Sequence, residues 1–349
     1  MAQLSFVGDL MVSDSAMMFN RGFRSTYEIN KSISKDIKKI FFDSDLVFGN
    51  LESSVDFSNN NFNYKKYQPY LADKVIINFL KDSGFNLINL ANNHSLQYGK
   101  ENYKSTVKEL LNSGINVIGV KNDSDIQVSK LVKCGDFNIL FLGFCLKTQK
   151  IKKELIEKQL LQHKEEADVI ILSLHWGDEH INHPSPEQVK FARSLIDSGV
   201  DVIIGHHSHV IQGVEKYKSG IIAYGLGNFI SDTGNFGFKY RLGAILNLKI
   251  QPGKIDYSIF PMFINKKFMP TLISDTLSKK VLEYFSLQSN KIKEQRLNSI
   301  YEKQYYNQVK SLKQKYKQTT RNFFFSKIIQ NSFLHNAQVL FHILKRKVR

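Results

Sequence analysis

Short apolar runs alternate with amphipathic segments through the first part of the chain, and the two patterns predict different elements. Each apolar run is too short for a helix, and most are bounded by Gly, Asn or Asp, so we expect strands. The predicted strands of this part are Leu4–Val7, Leu46–Phe48, Leu87–Leu90, Asn116–Gly119, Ile139–Phe144, Val169–Leu174 and Val202–Ile204.

The segments between these strands repeat apolar residues at helical spacing. One helix is predicted around Val75–Leu80 and another around Tyr103–Leu111. A third begins with the capping box Ser185-Pro186-Glu187-Gln188, and Gly199 ends it. Strands that alternate with helices indicate an α/β fold with a largely buried sheet.

From Ile221 onward the pattern changes to strands without intervening helices. We interpret these strands as a hairpin-rich second sheet that completes the same domain. They are predicted at Ile221–Tyr224, Ala244–Ile250 and Ile255–Phe260.

The composition is that of a globular protein and excludes several other classes. Of the 349 residues, 42% are apolar and 23% are charged, which excludes a disordered chain. Two cysteines, Cys134 and Cys145, exclude a disulfide framework. No apolar stretch reaches the ~18 residues of a membrane span, and the N-terminus does not resemble a signal peptide. We therefore expect a cytoplasmic protein.

The charge is unevenly distributed and suggests a domain boundary. The chain carries a net charge of +16, and residues 266–349 contribute 18 basic and 4 acidic residues to it. The first 265 residues are almost neutral, with 30 basic and 28 acidic residues. We predict a main domain at 1–265 and a basic, mainly helical C-terminal extension at 266–349.

Polar clusters follow five of the predicted strands directly. In open α/β sheets, ligands bind outside the carboxyl ends of the strands, so clusters that are distant in sequence can meet in space. The five clusters are Gly8-Asp9, Gly49-Asn50-Leu51-Glu52, Ala91-Asn92-Asn93-His94, His175-Trp176-Gly177-Asp178-Glu179 and Gly205-His206-His207-Ser208-His209.

Imidazole, carboxylate and amide donors without a thiolate are typical of sites for Mn²⁺, Fe²⁺ or Zn²⁺. Each residue alone has an ordinary structural explanation as a turn, a cap or a core histidine. The repetition at strand ends favours metal binding, whereas a structural role is preferred for His180, His183 and His206. We predict one or two divalent ions, with six ligands: Asp9, Glu52, Asn93, His175, His207 and His209.

These motifs resemble the bacterial CapA family, the poly-γ-glutamate capsule biosynthesis proteins with a calcineurin-like metallophosphoesterase fold. The similarity covers about residues 3–232 in the order of the family. The matching segments are Phe6–Met11, Gly49–Glu52, Leu90–His94 with Tyr98-Gly99, Leu174–Gly177 with Glu179, Gly205–Val210 with Gln212, and Ala223–Phe229.

The resemblance implies a four-layer α/β/β/α sandwich with a metal centre between its two sheets. It assigns the ligand roles to the six residues above and places His94 near the leaving-group oxygen, where it would donate a proton or stabilise the transition state. Glu179 could orient a ligand or be a solvated charge, and the two alternatives stay open. A structural turn is the preferred role of Asn228.

Three positions depart from the family pattern. Met11 stands where calcineurin-like phosphoesterases usually have a histidine, which removes one ligand and makes a single-ion site credible. Gln97 replaces the usual Asp, and Ser208 replaces the usual Pro. The last two changes leave the predicted ligands intact.

The basic C-terminal extension allows several interpretations. Tyr and Lys residues interleave between 279 and 321, and a helix whose tyrosines pack on the main domain is preferred over a nucleic-acid surface. Apolar residues then recur at helical spacing through 320–349. That segment could lie peripherally on an anionic membrane, contact a membrane synthase, or dock on its own domain or a second subunit.

The sequence is compatible with two functions. The preferred one is a metal-dependent phosphoesterase that acts in capsule or surface polymer biosynthesis, with an anionic polymer or a phosphorylated precursor as partner. The alternative is a non-catalytic metal- or polymer-binding assembly factor of a membrane-associated synthase. A nuclease ranks low, because the main domain is nearly neutral.

Overall fold

The computed structural model describes residues 1–15, 21–26, 32–57, 70–121, 126–147, 153–231 and 238–294, together with 303, 305–311, 314 and 318. Seven α-helices have both ends within these residues: α1 (Phe23–Thr26), α2 (Lys35–Phe42), α3 (Val75–Ser83), α4 (Lys100–Asn112), α5 (Lys153–His163), α6 (Pro186–Asp197) and α7 (Asp275–Glu294). A short 3-10 helix spans Phe238–Arg241, and residues 305–311 are also helical.

The strands of the described residues, in chain order, are β1 (Ala2–Leu10), β2 (Asp14–Ser15), β3 (Arg21–Gly22), β4 (Leu46–Leu51), β5 (Ser54–Asp56), β6 (Leu71–Asp73), β7 (Leu87–Asn89), β8 (Asn116–Ile118), β9 (Val120–Lys121), β10 (Ile126–Gln127), β11 (Ser129–Cys134), β12 (Phe137–Cys145), β13 (Val169–His175), β14 (Val202–His206), β15 (Val214–Tyr217), β16 (Gly220–Ala223), β17 (Asn228–Ile230), β18 (Leu242–Gln251), β19 (Lys254–Ile264) and β20 (Pro270–Leu272).

Most of these strands form two mixed sheets. The first has the order β20-β19-β18-β1-β4-β7-β8, with β17 pairing beside β1, and its strands β1, β4, β7 and β8 run parallel. The second has the order β11-β12-β13-β14-β16-β15 and is parallel from β12 to β16. Each sheet therefore has a parallel part whose carboxyl ends lie at one edge.

Alternation of side chains along the strands separates three hydrophobic layers. In β1, Phe6 points into the layer between the two sheets, where Phe141 of β12 also lies. The neighbouring Val7 points the other way, towards α2, α3 and α4 on the outer face of the first sheet. Leu172 of β13 faces α5 and α6 on the outer face of the second sheet. The fold is thus a four-layer α/β/β/α sandwich, which confirms the predicted class.

The strands after residue 220 do not form a sheet of their own, in contrast to our expectation. Strand β16 joins the second sheet beside β14, while β18 joins the first sheet antiparallel to β1. Apolar patterning predicts that these segments are strands, but it does not specify which neighbour each one pairs with. The expected hairpin is formed by β18 and β19.

The first part of the basic extension packs on the sandwich. Strand β20 pairs with β19, and Val281 and Phe285 of α7 are buried in the layer between the sheets. The division at residue 266 stays a prediction, and the amphipathic segment 320–349 lies outside the described residues. Among the helices that are described, none has the length and apolar character needed to cross a membrane.

Candidate metal centre

The five polar clusters meet at the edge where the parallel strands of both sheets end. Within the first sheet, Asp9 of β1 is in register with Asn50 of β4. Within the second sheet, His175 of β13 is in register with His206 of β14. The two edges touch, because the His207 backbone N–H donates to Asp9 Oδ2 at 3.1 Å. Residues separated by two hundred positions therefore share one buried site.

Asp9 is buried and lies at the centre of a hydrogen-bond network. The Asn50 amide donates to its Oδ1 at 2.8 Å, and His206 Nδ1 lies 3.2 Å from the same oxygen. His209 Nδ1 lies 3.3 Å from Oδ2. Burial alone would raise the pKa of Asp9, but the hydrogen bonds to His206 and His209 hold it well below its ordinary value. Asp9 is therefore a carboxylate at neutral pH.

Glu52 brings a second buried carboxylate to the same place. Its Oε1 lies 3.6 Å from Nε2 of both His94 and His175, and 3.8 Å from Nε2 of His209. Three imidazoles from three different strand ends thus surround one carboxylate oxygen. Nitrogen and oxygen donors of this kind suit a divalent cation, and the predicted ligands among these residues are Glu52, His175 and His209.

The buried histidines differ in their protonation. Burial lowers the pKa of His175 well below its ordinary value and lowers the pKa of His207 to about 3, so both rings are neutral. His209 is also buried, but the carboxylates of Glu52 and Asp9 outweigh the burial and raise its pKa to about 10. Neutral imidazole is the form that binds metal, and a bound cation would displace the proton from His209.

The backbone at two of these histidines is strained. His207 and His209 have φ values of 88° and 55°, a region that non-glycine residues rarely adopt. Such strain persists only where surrounding contacts enforce it, and it clusters at functional sites. Here it turns two side chains of one loop, which are separated by Ser208, toward Asp9 and Glu52.

Several side-chain groups among the described residues could hold an ion, because their ligand atoms lie within 4.8 Å of one another. Their donors are carboxylate oxygens and imidazole nitrogens, which suit Mn²⁺, Fe²⁺ or Zn²⁺. His207 Nδ1 is buried without a hydrogen-bond partner among the described residues, as expected for an atom reserved for another ligand. The groups are Glu52–His175–His207, Asp9–Glu52–His209 and Glu179–His207–His209.

Asn93 and His94 complete the site from the third strand end. Asn93 Oδ1 lies 2.7 Å from His175 Nε2, and its amide nitrogen lies 3.1 Å from His94 Nε2. The His94 ring stacks on Tyr70 at a centroid distance of 3.5 Å, and its Nδ1 lies 2.7 Å from Gln97 Oε1. Since an amide oxygen only accepts, Nδ1 carries the proton and Nε2 is the acceptor in the neutral ring.

The structure brings all six predicted ligands and His94 to this edge, and their role as ligands stays a prediction. Of the histidines for which a structural role is preferred, His206 contacts Asp9 directly, while His180 packs edge-on against Tyr240 at 4.9 Å. His183 contacts the ring of Tyr305 at 5.5 Å.

Sequence reasoning missed three partners of the site. Asn50 bonds Asp9, and Asn228 places its Oδ1 3.0 Å from His209 Nδ1, although a turn was the preferred role of Asn228. Tyr70 covers His94 from a position that follows no recognised motif. Only the asparagines carry a signal in the sequence, since both lie in segments that match the family pattern, Gly49–Glu52 and Ala223–Phe229.

Comparison with protein-family models gives one family. The model described as "Bacterial capsule synthesis protein PGA_cap" matches residues 3–233. The match begins in β1 and ends just after β17, so it contains all the strand ends that form the site.

Two curated relatives are similar over much of the chain. The capsule biosynthesis protein CapA of Bacillus anthracis is 30% identical over 252 residues, which cover 66% of this chain and 60% of that protein. The PGA biosynthesis protein CapA of Bacillus subtilis strain 168 is 29% identical over 297 residues, which cover 80% of this chain and 76% of that protein.

Solved structures with a similar arrangement have low sequence identity. A novel phosphatase from Mycoplasma pneumoniae aligns over 80% of this chain and 96% of its own, with 15% identity and a TM-score of 0.48. The 5'-nucleotidase of Candida albicans aligns over 89% of this chain and 57% of its own, with 13% identity and a TM-score of 0.41.

Proposed function

The chain belongs to the PGA_cap family of bacterial capsule synthesis proteins, and on this premise we propose that it is a metal-dependent phosphoesterase acting in the synthesis of a capsule or surface polymer. The observation that carries the proposal is the buried convergence of Asp9, Glu52 and three histidines from the ends of both sheets. The reaction would be attack of water on a phosphoester or a related anionic group.

One or two divalent ions, of Mn²⁺, Fe²⁺ or Zn²⁺, would be held by the six residues Asp9, Glu52, Asn93, His175, His207 and His209. A bound divalent ion supplies Lewis acidity and lowers the pKa of water. The protein prepares for this charge by holding the Asp9 carboxylate ionised and the imidazoles of His175 and His207 neutral. Asn50 and His206 orient Asp9, and fixing a ligand in this way raises its affinity.

His94 is the residue best placed to handle a proton. Its ring is fixed by the stacked Tyr70 and by Gln97, and its Nε2 lies 3.6 Å from Glu52 Oε1 at the edge of the donor cluster. A histidine in that position could donate a proton to the departing oxygen, because imidazole titrates near neutral pH.

Lys147 supplies positive charge beside the site. Its charge is near enough to lower the pKa of His207 further, after the larger effect of burial. Its side chain is one-third exposed, and its ammonium group donates to the Gly177 carbonyl at 2.7 Å. An anionic polymer or a phosphorylated precursor would find a favourable potential here.

A second function is favoured by one observation, the identity of Met11. This residue is buried at the end of β1, and Ser231 Oγ lies 3.6 Å from its sulfur. A thioether there provides no hard donor for a second ion. The alternative is therefore a protein that binds metal or anionic polymer without turnover and assists a membrane-associated synthase, with 320–349 as the proposed contact.

The test is hydrolysis of p-nitrophenyl phosphate and bis-p-nitrophenyl phosphate by the full chain with added Mn²⁺. Asp9→Asn and His207→Ala should each lower turnover by at least about 10- to 100-fold, the range seen even for partners of metal ligands. Asp136→Asn is the matched control, because its side chain is 90% exposed and far from the site. Equal turnover in all four proteins would refute the enzyme, and Mn²⁺ binding without turnover would favour the assembly factor.

A further inference from the structure

Residues 305–311, which we call the C-terminal segment, contact the β13–α6 loop at residues 176–185. This loop follows His175, the last residue of β13, and ends at the N-cap of α6. The family match stops at residue 233, so the contact is made by a part of the chain that the family pattern does not include.

Tyr305 makes the central contact. It is buried, and its hydroxyl donates to Asp178 Oδ2 at 2.5 Å. Its ring also packs edge-on against His183 at 5.5 Å. Burial raises the pKa of Tyr305, and the Asp178 carboxylate raises it further, so the hydroxyl keeps its proton and remains a donor.

Two further hydrogen bonds hold the same loop from outside the site. Gln308 Nε2 lies 2.6 Å from Asn182 Oδ1, and Lys147 Nζ lies 2.7 Å from the Gly177 carbonyl. Gly177, Asp178 and Asn182 flank Glu179, whose side chain is 43% exposed. The outer side of the loop is therefore fixed at both ends.

Glu179 lies on the side of the loop that faces His207 and His209. Its carboxylate lies in a group with His207 and His209 whose ligand atoms are within 4.8 Å of one another. Glu179 follows Asp178 directly, so the Tyr305–Asp178 bond fixes the loop one residue away from the Glu179 carboxylate. The backbone of the next residue is anchored, since His180 N–H donates to the Ser208 carbonyl at 2.7 Å.

We propose that Tyr305 and Gln308 are positioning residues that hold Glu179 beside His207 and His209, and that the C-terminal segment thereby strengthens divalent-metal binding. The proposal rests on the metal site of the proposed function. Groups that orient a metal ligand commonly change metal affinity when they are removed, even without touching the ion.

The experiment measures Mn²⁺ affinity by titration calorimetry on the chelator-treated full chain. Tyr305→Phe keeps the buried ring and removes only the hydroxyl, and we combine it with Gln308→Ala. The double variant should bind Mn²⁺ about five-fold more weakly or worse, in line with the effects of removing the partners of metal ligands. Tyr306→Phe is the matched control. The Tyr306 side chain is exposed, and its hydroxyl lies 3.4 Å from Glu187, which belongs to α6 and not to the β13–α6 loop. This variant should bind like the wild type.

A double-mutant cycle separates positioning from general destabilisation. If the C-terminal segment acts through Glu179, adding the same two substitutions to a Glu179→Gln chain should weaken Mn²⁺ binding by less than about two-fold. The reference for this comparison is the Glu179→Gln variant alone. The proposal would be overturned if the double variant weakened Mn²⁺ binding by the same factor with and without Glu179→Gln. It would also be overturned if the double variant bound Mn²⁺ as tightly as the wild type. Absence of Mn²⁺ binding by the wild-type chain would overturn the proposed function together with this inference, whereas the other two results leave that function standing.

Discussion

At the scale of single residues, His94 is held by contacts on three sides of its ring. Tyr70 covers one face of its ring, Gln97 accepts from Nδ1, and the Asn93 amide faces Nε2. The usual acidic partner is replaced by a neutral amide, so the ring is oriented without an added negative charge. This arrangement suits a residue that exchanges a proton more than one that holds an ion permanently.

We predict that His94→Gln lowers kcat for p-nitrophenyl phosphate by about 100-fold or more, since positioned acids contribute about 10²- to 10⁴-fold. Mn²⁺ affinity should change by less than about three-fold, because ligands other than His94 hold the ion. Steady-state kinetics and calorimetry on the same preparations measure both quantities.

His163→Gln serves as the control, because His163 lies at the end of α5, away from the strand ends. An unchanged kcat would remove His94 from the reaction. A large loss of Mn²⁺ affinity would instead make it part of the metal site.

Single residues also mark the limit of sequence reasoning about the site. Asp9 and His207 stand directly after strands, so their convergence could be predicted from strand-end geometry. Tyr70 could not be found, because stacking on His94 depends on where β6 begins relative to a different loop. Likewise, the Tyr305–Asp178 bond joins residues 127 positions apart, and no pattern in either segment indicates the other.

The connection between β13 and α6 shows the importance of an element boundary. Ser185 Oγ accepts from Gln188 N–H at 3.1 Å, and the Gln188 side chain accepts from Ser185 N–H at 2.9 Å. The predicted capping box is therefore present. It fixes the end of the loop that carries Glu179, so helix capping and site geometry are coupled here.

We predict that Ser185→Ala lowers the free energy of unfolding by about 1 kcal/mol, the usual cost of losing an N-cap side chain. Urea unfolding of the metal-free protein measures it. Ser34→Ala removes the N-cap of α2, where the corresponding bond to Ile37 N–H is 3.5 Å long, and it should cost less. Equal losses at the two caps, or none at Ser185, would contradict this account.

Element type was easier to predict than element pairing. The strand at Ala244–Ile250 was predicted from its apolar run, and the structure contains it within β18. Its partner β1 lies at the other end of the chain, and pairing at that separation depends on how both sheets close. Apolar patterning contains no such information, because every central strand is apolar on both faces.

At the scale of the whole molecule, the sandwich accounts for the site. Two sheets pack face to face, and the parallel parts of both end at the same edge, so their loops supply donors from opposite sides. This arrangement buries several ionisable groups, and in the metal-free protein burial disfavours their charged forms. Stability should therefore depend on pH.

We predict that the metal-free protein loses stability as the pH falls from 7 to about 4.5. Burial lowers the pKa of His207 to about 3 and that of His180 to about 4, and it also lowers the pKa of His175. Below pH 6.5 the histidines of the unfolded chain bind protons, whereas these histidines stay neutral in the folded protein. Each such histidine therefore costs up to about 1.4 kcal/mol per pH unit until its folded pKa is reached. Thermal unfolding in chelator at several pH values measures the slope.

The contribution of His209 to the pH dependence of stability has the opposite sign, so it can be distinguished from that of the neutral histidines. Its folded pKa of about 10 lies above the unfolded value, so its contribution is complete below pH 6.5 and is lost as the pH rises through 10. Acid destabilisation must then come from the neutral histidines. His207→Gln should have a shallower acid slope than the wild type, while His163→Gln on α5 should leave the slope unchanged. A melting temperature that stays constant between pH 7 and pH 5 would mean that folding does not lower the pKa of these buried imidazoles.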